Sequence, residues 1–158
     1  MIKFYEDFSV GEESLLGEHT FTREAIIGFA RAFDPQPFHL DEAAGEASIF
    51  GGLCASGWHT ASVAMRKIVD WRDARRAELA ARGGPLPPLG ISPGARNIRW
   101  PRPVRPGDCL SFRSRVEWKR ETRRPQWGLV GMRTWGVNQE GQEAYSFEGT
   151  VFVGRRGA

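Results

Sequence analysis

The sequence predicts an α+β fold in which an antiparallel β-sheet wraps around one long central helix. Three observations predict it. Apolar residues recur at helical spacing before residue 83 and at alternate positions after residue 95, so the chain changes class once. The boundary is Gly83-Gly84-Pro85-Leu86-Pro87-Pro88, a run that ends a helix and cannot continue one. Four strand-like runs follow it and one precedes the helices, an order that suits a sheet folded over a helix. With 158 residues, 41% of them apolar, the chain can build one buried core but hardly two. Residues 1–158 are therefore read as a single domain.

Taken in order, Leu15 to Phe21 forms the first strand, among short apolar runs broken by Gly11 and Gly17. Thr22 is an N-cap with Glu24 in the first turn. Ile26, Phe29, Ala30 and Phe33 then recur at helical spacing, and the helix stops where Asp34 meets Pro35. Pro35 and Pro37 make Asp34 to His39 a stiff non-helical loop. Residues 41 to 47 suggest a brief helical turn. From residue 55 to about 72 the chain carries few charges until Arg66, and this second helix reads as buried along most of its girth. It becomes charged from Arg72 through Glu78. Strands are expected at 95–100, 109–120, 127–138 and 142–153. In the second of these, Phe112, Ser114, Val116 and Trp118 alternate with Arg113, Arg115, Glu117 and Lys119. Asn138 to Gly141 reads as a hairpin turn, and Pro103 to Asp108 as the link between the first pair.

Composition narrows the function classes. Lys and Arg number 22 against 19 acidic residues, and a net charge of +3 suits an anionic small molecule at least as well as nucleic acid. Cys54 and Cys109 are read as reduced thiols, because no secretory segment is visible, and the expected compartment is the cytoplasm. No apolar run approaches the ~18 to 20 residues of a membrane span.

Residues 33 to 60 hold nearly everything chemical. The loop after Pro35 presents a carboxylate, Asp34, and an imidazole, His39, that can meet over one pocket. The bland alternative is a capping Asp and a hydrogen-bonded loop histidine. Past Gly51 and Gly52, the small residues Ala55, Ser56 and Gly57 suit a helix N-terminus approached closely by a ligand, or equally a helix packed tightly under a curved sheet. Ser56 either bonds substrate or caps the helix. His59 reads as a satisfied core histidine. His39 and Asp41 make a His-x-Asp pair, but no third ligand stands at a recognisable spacing, so no metal is expected. Arg96, Arg99, Arg102, Arg105, Arg120, Arg123 and Arg124 can meet phosphates or simply be solvated. Trp100, Trp118, Trp127 and Trp135 fall at strand spacing and read as core or interface rather than as a nucleic-acid platform.

Asp34-Pro35-Gln36-Pro37-Phe38-His39, then Phe50 to Gly57, then Pro103 to Asp108, occur in order on this coarse structure. Through them nearly the whole chain resembles the MaoC-like dehydratases, relatives of the (R)-specific enoyl-CoA hydratases, which have the hotdog fold. Gln36 stands where the hydratases often carry Asn, and Ala55-Ser56-Gly57 replaces their usual histidine-glycine pair. The resemblance implies reversible addition of water to a 2-enoyl-CoA thioester. Asp34 and His39 would be the acid/base pair and the Gly57 backbone N–H the oxyanion donor, with Ser56, Phe38 and Phe50 binding substrate. It also implies no cofactor, coenzyme A entering as part of the substrate, and a homodimer with pockets at the subunit boundary. No nucleic-acid or membrane partner is expected. The alternatives are a hotdog thioesterase, which the same oxyanion donor would serve, and a non-catalytic acyl-CoA-binding subunit.

Overall fold

The computed structural model describes residues 3–157. A 3₁₀ turn at Tyr5–Asp7 leads into β1 (Glu13–Thr20) and then α1 (Arg23–Phe33), α2 (Pro37–Leu40), α3 (Glu42–Glu46) and the long α4 (Gly57–Ala81). Strands β2 (Gly94–Arg99), β3 (Cys109–Glu121), β4 (Trp127–Val137) and β5 (Glu143–Gly154) complete the chain. All pairings are antiparallel, and the strands form one five-stranded sheet in the order β1-β3-β4-β5-β2. Ala61, Val63, Ala64, Ile68 and Trp71 of α4 pack into the cluster built by Leu16, Phe21, Leu110, Phe112 and Phe147. The sheet thus wraps the long helix as the alternating pattern requires.

Local chemistry sets the element ends. Thr22 accepts the Ala25 N–H at 3.2 Å and starts α1. Asn138 Oδ1 accepts from the amides of Glu140 and Gln142, and Gly141 takes φ +75°, which closes the β4–β5 turn. Phe21, Ile26, Leu110 and Phe112 are fully buried; each contributes about 1.5–3 kcal/mol by leaving water.

The structure corrects the sequence reading in three places. Pro37 does not hold a non-helical loop as far as His39; it is the first residue of α2, where a fixed φ and a missing N–H suit a helix start. Helix α4 begins at Gly57 rather than 55, and its buried positions are only His59, Thr60 and Ala64. One sheet covers one side of a helix, which leaves Trp58 and Met65 more than half exposed. Finally, Trp118 leaves the buried face. The β3–β4 ladder skips a residue between Val116, opposite Met132, and Trp118, opposite Gly131. Such a bulge reverses the alternation. Trp118 therefore covers Gly131, whose added Cβ would lie 2.1 Å from its ring, while Lys119 turns in to the carbonyls of Tyr5 and Phe8.

Candidate active site

Three segments converge at the N-terminus of α4. Asp34 is the C-cap of α1: its N–H still bonds to the Ala30 carbonyl at 2.9 Å, but φ −150° turns the chain out of the helix before Pro35. His39 lies in the single turn of α2 and is buried. Gly57 opens α4 directly after its N-cap, Ser56. Asp34, Phe38, His39, Phe50 and Gly57 all line one cavity of about 360 Å³, together with Trp58, Trp100 and Arg102.

His39 Nδ1 lies 2.8 Å from the Cys54 carbonyl oxygen. A carbonyl only accepts, so Nδ1 carries the proton and the lone pair of the neutral ring sits on Nε2. That nitrogen is 3.6 Å from Asp34 Oδ2, a gap whose two sides one water can touch at once. The Cys54 thiol lies 3.7 Å from the same Nδ1. Burial raises its pKa against the opposing charge of Arg105, so it stays a neutral, weak competitor for that proton.

Asp34 is held from both sides. The Ser56 hydroxyl donates to Oδ2 at 2.6 Å and the Gln36 amide to Oδ1 at 2.8 Å. Burial pushes this carboxyl up, but the two hydrogen bonds and the nearby His39 outweigh it and hold the pKa below the ordinary aspartate value. Asp34 is therefore ionised at neutral pH. Ser56 is fully buried and also accepts the Trp58 N–H at 3.2 Å. Its hydroxyl is thus engaged by the cap and by Asp34, the capping alternative of the two that the sequence left open.

In the first turn of α4, the amides of Trp58, His59 and Thr60 bond to Ser56 atoms. Among the described residues the Gly57 N–H donates to no group of the protein, as suits a first-turn amide. Gly57 is also tightly packed, as the packing reading expects: an added Cβ would lie 2.7 Å from the Trp100 ring, whose indole N–H donates to the Gly57 carbonyl at 2.9 Å.

Other expectations fall elsewhere. Asp41 caps α3 by accepting the Ala44 N–H at 2.9 Å. Among the described residues no group of three or more His, Cys, Asp or Glu could hold a metal. His59 is buried yet unsatisfied: it stacks on Phe29 at 4.7 Å, and its Nδ1 has no hydrogen-bond partner. Of the seven arginines singled out, Arg102 lines the cavity and Arg105 grips the Phe50, Gly52 and Leu53 carbonyls. Arg96 pairs with Glu148, and Arg120 lies over Trp118. Sequence reasoning gave no role to Gln36 or the Cys54 carbonyl, and it expected Arg105 to meet phosphate or solvent rather than backbone carbonyls. Only Gln36 carried a signal, two residues from Asp34 and clamped between prolines.

A five-stranded antiparallel sheet wrapped around one long helix is a hotdog fold, and here an imidazole and a carboxylate share a cavity with that helix's N-terminus. Residues 8–138 match the family model described as MaoC like domain. The chain belongs to this family. It is similar to the crystal structure of a MaoC-like dehydratase from Rhodospirillum rubrum, with 38% identity over 99% of each chain and a TM-score of 0.82. It shares the fold of unliganded R-hydratase PhaJ1 from Pseudomonas aeruginosa, with TM-score 0.68 and 23% identity over 97% of this chain and 86% of that one. Protein MaoC of Klebsiella aerogenes is 29% identical over 112 residues, 70% of this chain but only 30% of that protein's length. These relationships support a hydratase or dehydratase role.

Proposed function

We propose that this protein reversibly adds water to a 2-enoyl-CoA thioester, or eliminates it from the 3-hydroxyacyl-CoA. The observation that carries the reading is the 3.6 Å approach of His39 Nε2 to Asp34 Oδ2 in a cavity that Gly57 also lines. A water touching both groups gives one proton to the pair while its oxygen bonds to Cβ of the enoyl group. Electrons then gather on the thioester oxygen, where the Gly57 N–H and the positive end of α4 favour the developing charge. The pair returns a proton to Cα, and the atoms of one water are thereby added across the double bond. Positioned acid–base groups of this kind contribute about 10²–10⁴ in rate.

Phe38 and Phe50 supply apolar wall beside the reacting carbons, and Arg102 supplies charge for an anionic carrier. Coenzyme A enters as part of the substrate, and no further cofactor is invoked. The working unit is read as a homodimer, because edge strand β2 pairs only with β5 and all its residues are exposed. The test is incubation with crotonyl-CoA, following both loss of the conjugated enoyl absorbance and release of free thiol. Absorbance loss without thiol is expected. Thiol release at the same rate would make the protein a thioesterase, and no change in either signal would leave it a binding subunit.

A further inference from the structure

We propose that Arg105 is a positioning residue for His39, acting through the backbone of residues 50 to 55. This inference rests on the reading of His39 as half of the acid/base pair. The Arg105 guanidinium donates to the Gly52 carbonyl at 2.6 Å, to Leu53 at 3.2 Å and to Phe50, and pairs with no carboxylate among the described residues. Its neighbour Val104 accepts the Ala55 N–H at 2.8 Å. The peptide groups on both sides of Cys54 are thus gripped, Leu53–Cys54 by Arg105 and Cys54–Ala55 by Val104. The Cys54 carbonyl, which belongs to the second of these peptide groups and adjoins the first, receives the His39 Nδ1 proton. That carbonyl decides which ring nitrogen carries the lone pair.

The segment needs such a grip. Gly51 and Gly52 take φ +62° and +151°, conformations available mainly to glycine, and their freedom gives the loop little stiffness of its own. A planar guanidinium can span three carbonyls at fixed angles, whereas an ammonium is a point donor on a flexible stem. Losing it lets the Cys54 peptide tilt. His39 then exchanges between tautomers, and Nε2 is no longer reliably the basic atom facing Asp34.

The test uses protein carrying ¹⁵N-histidine, with His39 resonances assigned by their loss in His39→Ala. The imidazole nitrogen shifts report the tautomer directly. In the parent protein a single Nδ1–H form is expected for His39, and in Arg105→Met a mixture with Nε2–H. On crotonyl-CoA, kcat of that variant should fall by about 10²-fold, as misplaced groups do, with KM changed far less. Arg105→Lys should recover part of both signals. An unchanged His39 tautomer in folded Arg105→Met overturns the proposal, as does a rate loss that merely tracks melting temperature. Should Arg105→Met fail to fold, Arg105→Lys decides, and parental tautomer and rate in it overturn the proposal. If no preparation hydrates crotonyl-CoA, the reaction assignment fails, while the nitrogen shifts still decide the role of Arg105.

Discussion

Ser56 shows how much rests on one side chain, since its hydroxyl both caps α4 and lowers the Asp34 pKa. Ser56→Ala removes that donor, so the Asp34 pKa rises and the acid limb of the pH–rate profile should move to higher pH. A limb that stays in place would exclude Asp34 as its source. Because the folded pKa is depressed, the stabilisation from ionised Asp34 is fully present above the ordinary aspartate value and is lost as pH falls through the folded one. Asp34→Asn and His39→Ala should each lower kcat by about 10²–10⁴, and the double variant should be little worse than either, measured with crotonyl-CoA. His59 behaves differently. Burial, with His19 nearby, brings its pKa from 6.5 down to about 4. The unfolded chain therefore takes up the proton first, and stability should fall as pH drops from about 6.5 towards 4. His59→Leu, which removes the unpartnered Nδ1, should flatten that slope in denaturation curves. The meeting of Asp34 and His39 was legible because two prolines stand between a carboxylate and one of only three histidines. The support behind it was not, since Cys54 acts through its backbone and Arg105 reaches its carbonyls from about 50 residues away in sequence.

Among the elements, α1 and the strands lie close to where their apolar periods put them. Both α1 and α3 start at the side-chain caps their sequences offer, Thr22 and Asp41. What the period could not show was a change of phase. Nothing in Val116-Glu117-Trp118 announces a bulge; it becomes readable only once Gly131 opposite supplies room for the indole. Glycines separate the elements by the space around them. At Gly28, inside α1, an added Cβ meets nothing within 4 Å, so Gly28→Ala should raise stability by about 0.5–1 kcal/mol. At Gly45, in α3, the same Cβ would lie 2.5 Å from the Leu53 amide nitrogen and 2.6 Å from the Gly52 carbonyl carbon. Backbone atoms cannot swing aside. Gly45→Ala should therefore displace the loop ahead of Cys54 and lower both melting temperature and turnover. Parental turnover in that variant would mean the loop position is irrelevant to catalysis.

At the scale of the whole molecule, edge strand β2 lies exposed along its length; Ile98 adds apolar surface on it, and Trp100 adds more at the cavity. Pairing of two copies through this edge would cover both, and sedimentation at micromolar concentration should show a dimer. A monodisperse monomer with full activity would exclude it. Among the described residues no helix is long and apolar enough to cross a membrane. The aromatic corner at the cavity has an optical consequence. Trp58 and Trp100 meet edge to face at 5.5 Å, and the Trp100 indole N–H is tied to the residue that opens α4. The emission of these two indoles depends on the polarity around them, so a saturated acyl-CoA entering beside Gly57 should shift their fluorescence without any reaction taking place. Such a shift would be an unlabelled gauge of occupancy that separates binding from turnover, and Trp100→Phe should blunt the response.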